Sequence, residues 1–360
     1  MIQTRLAIVG AGPAGLSAAI EAAKAGVKVS LFDENATPGG QLIKQIHKFF
    51  GSKDHKAGVR GVDIGKMILK EAYDLSVDIH LDTVVWGVFD QNILAILEKG
   101  QFRKVFPEKL ILATGASENT IVFEGWTLPG VMGAGAAQTM MNLHRVLPGK
   151  RVLMVGSGNV GLIVGYQLMQ AGAELVAVIE ADDKIGGYSV HASKLRRMGI
   201  PIHIRHTIQK AFGQGCVEGA ILTAVDDRWL PIPGTEREVD VDTICIATGL
   251  SPLAELAWIA GCRFTYLADL GGHIPIHNER METKVKNLYV AGDITGIEEA
   301  STAMEEGRLA GLEIARSLGC LTEGEADKRK EEIDSRLRDL RKGPFGELRQ
   351  KGKETILGRW

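Results

Sequence analysis

Apolar positions along this chain follow two patterns. Short continuous runs such as Leu6-Ala7-Ile8-Val9 and Val152-Leu153-Met154-Val155 end abruptly in glycine. Between them, apolar residues return every three or four positions. Continuous runs suit strands buried on both faces, and the longer period suits helices packed along one stripe. Strands are therefore expected at 4–9 and 27–32, with a helix at about 13–25 between them. A polar, basic loop spans 44–61, and a helix follows to about Asp74. Strict alternation at 83–88, 93–97 and 102–105 predicts an antiparallel ribbon. Residues 109–113 read as a short buried strand ending in Thr114-Gly115.

The order then repeats. Strands are expected at 151–155 and 174–179 around a helix at 160–171. A helix near 189–198, a strand at 201–205, a polar ribbon between 210 and 239 and a strand at 243–247 complete the copy, which ends in Thr248-Gly249. A repeat at domain scale implies two homologous domains and not a solenoid. The stretch 116–149 contains Pro129-Gly130 and a helical segment from 136 to about 147. A strand at 288–293 leads into a helix at about 299–317. Beyond Gly319 the chain turns rich in Lys, Arg and Glu, so 321–360 reads as a solvated helix, a partner-docking arm or a disordered tail.

The glycines carry the chemistry. Gly10-Ala11-Gly12-Pro13-Ala14-Gly15 and Gly156-Ser157-Gly158-Asn159-Val160-Gly161 both fit G-x-G-x-x-G between a strand and a helix. The first glycine of such a loop permits the turn, the second admits a pyrophosphate and the third lets helix and sheet approach. Pyrophosphate then sits on free N–H groups at the helix start. Asp33-Glu34 and Glu180 close the following strands and are placed for ribose hydroxyls. Gly39-Gly40-Gln41 brings backbone and an amide near a bulky ligand. Ala291-Gly292-Asp293 sets a carboxylate before a helix whose first turn contains Ala300 and Ser301. That helix is expected to aim its positive end at a flavin carbonyl. Glu180 with Ala181-Asp182-Asp183 favours NADH over NADPH, since carboxylates accept from a free 2′-hydroxyl and repel a 2′-phosphate.

Composition narrows the remaining choices. A net charge of −2 over 360 residues gives no general attraction to nucleic acid or anionic membrane. No apolar run has the length of a membrane span, and the early first strand leaves no room ahead of it for a secretory leader. Cys216, Cys245, Cys262 and Cys320 lack C-x-x-C spacing. They read as small buried hydrophobes in a reducing cytoplasm, with no disulfide framework or metal site. His47, His55 and His144 are scattered and read as surface or satisfied histidines, and no catalytic side chain is assigned.

In the ordered set of Gly10–Gly15 loop, Asp33, Gly39-Gly40, Ala113-Thr114-Gly115, Gly156–Gly161 loop, Ala247-Thr248-Gly249 and Ala291-Gly292-Asp293, the chain resembles flavoproteins with two dinucleotide-binding domains. These form the pyridine-nucleotide:disulfide oxidoreductase superfamily. The resemblance implies an α/β fold of two Rossmann-like, three-layer ββα domains. An FAD domain (1–115 plus 248–320) is interrupted by an NAD(H) domain with its linker (116–247), with no C-terminal dimerisation domain. The redox dithiol of that superfamily is missing: Gln41-Leu42-Ile43-Lys44-Gln45 stands at one of its places, and no paired cysteines follow Gly156.

Gly125-Trp126-Thr127-Leu128-Pro129-Gly130, Gly135-Ala136-Ala137-Gln138 and Glu306-Gly307-Arg308-Leu309-Ala310-Gly311 are similar to the A/α-type subunits of opine oxidase, hydrogen cyanide synthase and dye-linked proline dehydrogenase complexes. This likeness implies an NADH dehydrogenase or electron-transfer subunit of an amino-acid or N-alkyl-amino-acid dehydrogenase. Its partners would be an amine-oxidising second flavoprotein and a small iron–sulfur protein on a separate chain, since 322–360 contains no cysteine. Two other readings stand beside it: a free-standing NADH:acceptor oxidoreductase, and a nucleotide-bound structural subunit without redox turnover.

Overall fold

A computed structural model of the chain describes residues 1–50 and 52–360. It divides into two compact units, Met1–Ser117 with Ser251–Trp360, and Glu118–Leu250. Residues 321–360 belong to the first unit.

In the first unit, strand Ile2–Val9 pairs in parallel with Val29–Phe32 and Gln101–Leu112. Parallel strands Asp78–His80 and Leu288–Val290 extend the sheet on either side. Alternation along Ile2–Val9 divides the interior. Leu6 and Ile8 meet Leu16, Ile20 and Ile64 of the helices Pro13–Lys24 and Gly61–Asp74. Ala7 and Val9 face the other way, toward Val88, Leu94 and Ile96 of the ribbon. That ribbon consists of Thr83–Phe89, Ile93–Glu98 and the start of Gln101–Leu112, all antiparallel. The expected strands at 102–105 and 109–113 are thus one strand. Pro107-Glu108-Lys109 breaks the apolar pattern where the strand passes from ribbon to sheet, but the backbone stays extended.

The second unit repeats this plan. Arg151–Val155 lies between parallel strands Glu174–Glu180 and Thr243–Ile246, flanked by Ile202–Ile204 and Val131–Gly133. A separate antiparallel ribbon consists of His206–Phe212, Gly219–Ala224 and Arg237–Val239. Helices Ala134–Asn142, Asn159–Gln170 and Ser189–Arg197 cover the opposite face. The first of these ends earlier than the expected 147, where Leu143, Val146 and Leu147 are exposed.

The charged C-terminal region folds into helices Glu323–Leu340 and Gly346–Leu357. Ala326, Ile333, Leu337 and Ile356 are buried. No helix among the described residues is long and apolar enough to cross a membrane.

Candidate nucleotide sites

The two glycine loops show which glycines the fold itself demands. Gly10 has φ +106°, and a Cβ there would lie 2.2 Å from the Ala113 carbonyl oxygen; a Cβ on Gly15 would lie 1.8 Å from Gly10 O. Gly156 (φ +105°) and Gly161 are constrained likewise, 2.2 Å from Ala247 O and 2.3 Å from Gly156 O. The middle glycines are different. A Cβ on Gly12 meets only the Gly40 Cα, at 3.9 Å, and one on Gly158 meets nothing within 4 Å. Each is the N-cap of its helix and supplies no side-chain cap, and Pro13 occupies the first position of the first helix. The first turns therefore keep N–H donors without helical partners, beside space a side chain would fill. Such a cradle fits a pyrophosphate.

Both paired-glycine turns fold back onto these loops. Gly39 N–H donates to Ala11 O (2.8 Å), and Gly187 N–H donates to Ser157 O (2.9 Å). Gly40 needs its glycine for a separate reason, since φ is +53° and a Cβ would lie 2.8 Å from Gly12 Cα. Gln41 and Glu34 are exposed beside this turn.

Asp33 and Glu180 occupy equivalent places and do more than their spacing indicated. The Asp33 carboxylate accepts from Ala11 N–H (2.6 Å) and from the backbone and side-chain nitrogens of Asn35 (2.9 and 2.8 Å). Glu180 accepts from Ser157 N–H (2.9 Å), Ser157 Oγ (2.7 Å) and Asp182 N–H (3.1 Å). Each therefore braces its glycine loop. An ionised carboxylate has about four acceptor positions, so each retains capacity for a ribose hydroxyl.

Around the second loop, Asn159 Oδ1 accepts from Tyr188 N–H (2.8 Å), Val160 is exposed, and Gly249 adopts φ +111°. Glu180 pairs in register with Ile204, so Arg205 lies one residue beyond, at the carboxyl end of the neighbouring strand. Its guanidinium is engaged by Asp227 (2.6 Å) and Asp183 (3.8 Å), and the Arg205 backbone N–H donates to Asp182 O (3.0 Å). The hydrogen bond to Asp227 raises the Arg205 pKa further. The cation nearest in register to Glu180 is thus already matched by carboxylates.

The remaining predicted residues gather in the first unit. Ala113 N–H donates to Val9 O (2.8 Å), Thr114 Oγ1 donates to Leu253 O (2.5 Å), and Gly115 has φ +76°. The turn Gly292–Thr295 rests on the start of the Pro13 helix: a Cβ at Gly292 would lie 2.7 Å from Ala14 Cβ. Asp293 accepts from Glu298 N–H at 3.4 Å, and burial pushes its carboxyl up to about 6. Helix Ala300–Ser317 begins with half-buried Ala300 and buried Ser301. Glu299 and Thr302 close its start as a capping box.

All four cysteines are free. Cys245 and Cys262 are buried, and burial pushes the Cys245 thiol up to about 12. Cys216 is exposed and Cys320 half-buried, so the reading as buried hydrophobes fails for those two. His55 is buried and held by Ser52 Oγ (2.9 Å) and Glu305 (2.9 Å), while His144 is exposed.

The fold resembles that of a solved structure, L-proline dehydrogenase from P. horikoshii, with a TM-score of 0.70 over 92% of this chain and 59% of that one, at 23% identity. In sequence the chain is 30% identical to the A-type subunit of opine oxidase from Agrobacterium tumefaciens over 85% of its length, and spans 64% of that protein. It is also 30% identical to the HcnB subunit of hydrogen cyanide synthase from Pseudomonas aeruginosa, over 98% of this chain and 80% of that one. The model of the family described as pyridine nucleotide-disulphide oxidoreductase matches residues 4–307. The chain belongs to the pyridine nucleotide-disulphide oxidoreductase family and is an FAD- and NAD(P)-dependent oxidoreductase.

Proposed function

We propose that this chain is the NADH-reactive FAD subunit of a multi-subunit dehydrogenase acting on an amino acid or N-alkyl amino acid of the proline, sarcosine or opine type. The observation that carries the reading is the pair Gly12 and Gly158, glycines that the fold leaves free at two helix starts. Two dinucleotides on one chain call for electron exchange between them. When bound, flavin and nicotinamide supply the hydride chemistry, and the protein supplies position and electrostatics.

In this reading Gly10, Gly12, Pro13, Ala14, Gly15, Asp33, Thr114, Gly115 and Asp293 hold FAD. The loop Gly156 to Gly161, Glu180 and Gly249 hold NAD(H). NADH is favoured over NADPH because Asp183 and Asp227 already occupy Arg205, leaving a net acidic rim around Glu180.

A subunit role is supported by the relatives, since the opine oxidase and hydrogen cyanide synthase proteins that the chain matches are both named as subunits. It is supported as well by four free thiols without dithiol spacing, which leave no disulfide on this chain as electron acceptor. The partners would be an amine-oxidising flavoprotein and a small iron–sulfur protein. Native purification with identification of every co-purifying chain and cofactor tests this. A second flavoprotein chain in fixed proportion is expected, whereas a lone monomer or homodimer with full turnover would overturn the reading.

A further inference from the structure

Behind the turn that carries Asp293 lies a buried cluster of four charged side chains from distant parts of the sequence. Glu306 accepts from Gly292 N–H (3.1 Å) and the Thr295 hydroxyl (2.7 Å) through one oxygen. Its other oxygen accepts from Arg341 (2.6 Å) and Lys353 Nζ (2.7 Å). Lys353 Nζ also donates to the Thr295 carbonyl (2.8 Å) and hydroxyl (2.6 Å). Arg341 makes a two-pronged pair with Glu298 (3.0 and 2.6 Å). None of the four side chains is more than 10% exposed.

Ionised groups buried this deeply are tolerated only when paired, and removing one partner strands the other. The Gly292–Thr295 turn and the helix start therefore cannot shift without uncovering charge. Arg341 and Lys353 belong to the C-terminal region, beyond residue 307, where the family match ends.

We propose that the C-terminal helices form part of the flavin site, with Lys353 and Arg341 as positioning residues that fix the Asp293 turn and neutralise Glu298 and Glu306 behind it. The inference rests on the assignment of Asp293 to FAD.

The test is equilibrium FAD binding to FAD-free full-length protein, together with the midpoint potential of the reloaded flavin. Lys353→Met should weaken FAD binding roughly tenfold, the scale of a lost hydrogen bond to a charged group. It should also lower the potential, because Glu298 and Glu306 are then only half neutralised, and the net negative charge opposes reduced, anionic flavin. Lys353→Arg should restore both. The neutral pair Glu306→Gln/Lys353→Met leaves no stranded carboxylate. It should melt like the wild type without FAD yet still bind FAD weakly. Wild-type affinity and potential in Lys353→Met, or wild-type affinity in the neutral pair, would overturn the proposal while leaving FAD binding intact. Failure of the wild-type chain itself to take up FAD would instead overturn the site assignment, and the proposal with it.

Discussion

A side chain added at Gly12 and one added at Gly15 are opposite experiments. At Gly15 the new Cβ would lie 1.8 Å from a backbone oxygen, so Gly15→Ala should yield no soluble folded protein. At Gly12 the fold leaves room, so Gly12→Val should give protein with normal circular dichroism that carries no flavin. Yellow, fully loaded Gly12→Val protein would refute the pyrophosphate assignment. Glu180→Arg should move coenzyme preference toward NADPH by roughly tenfold or more, the scale of exchanging a repulsive for an attractive charge at a phosphate. Competitive binding of NADH and NADPH reads this, and an unchanged ratio contradicts the ribose role. Thermal stability should fall as well, because Glu180 holds Ser157.

Asp293 gives a pH dependence with a definite sign. Its carboxyl is neutral below about 6 in the folded, FAD-free protein, against an ordinary value of 3.8. A raised acid pKa stabilises the fold fully below the unfolded value, and that contribution is lost as pH rises through the folded value. The melting-temperature difference between wild type and Asp293→Asn should therefore decline between pH 3.8 and about 6. A constant difference over that interval would show that burial does not perturb the carboxyl. At this scale the sequence was informative wherever the chemistry is local, as in the glycine spacing and the carboxylates after each second strand. It was silent on the bonds from Asp33 and Glu180 to their loops. It was silent too on the capture of Arg205 by Asp227, which arrives from the ribbon.

Among the elements, helices Pro13–Lys24 and Ala300–Ser317 approach closely. Gly307 and Gly311 lie against the carbonyls of Ala14 and Ala18; Cβ atoms there would be 2.1 and 2.3 Å from those oxygens. Gly307→Leu should force the helices apart, at a cost of about 1–3 kcal/mol or more. Because Ala14 also touches Gly292, the same change should release FAD, which thermal melting and flavin fluorescence of the refolded protein would show. The i, i+4 spacing of these glycines was visible in the sequence, but their partner helix was not. The C-terminal helices were harder still. Ala326, Ile333 and Leu337 make a legible but narrow stripe, submerged in charge. Charge pairs stand beside that stripe where the region docks: Arg329 on Glu21, Arg336 on Glu305, and Arg341 and Lys353 on Glu298 and Glu306. Pairs so far apart in sequence look like solvated surface until the fold brings them together.

Across the whole molecule, the same ββα plan occurs twice, each copy with a core on both faces of its parallel sheet. The repeat was readable because the duplication preserved both the strand and helix periods and the few residues the turns demand, the G-x-G-x-x-G loops and Ala113-Thr114-Gly115 with Ala247-Thr248-Gly249. The copies differ in what surrounds them. The first glycine loop has the Asp293 turn and the Glu298–Glu306–Arg341–Lys353 cluster behind it, while the second has an acidic rim with its arginine engaged. That asymmetry supports the proposed placing of flavin at the first and NADH at the second, and makes exchange between them the central claim. The most direct measurement is an anaerobic titration of the purified, FAD-loaded protein with NADH, followed in the visible flavin band. The band should bleach in proportion to NADH added, with NADPH much less effective. A flavin that stays oxidised in excess NADH would contradict the account and leave the nucleotides a structural role.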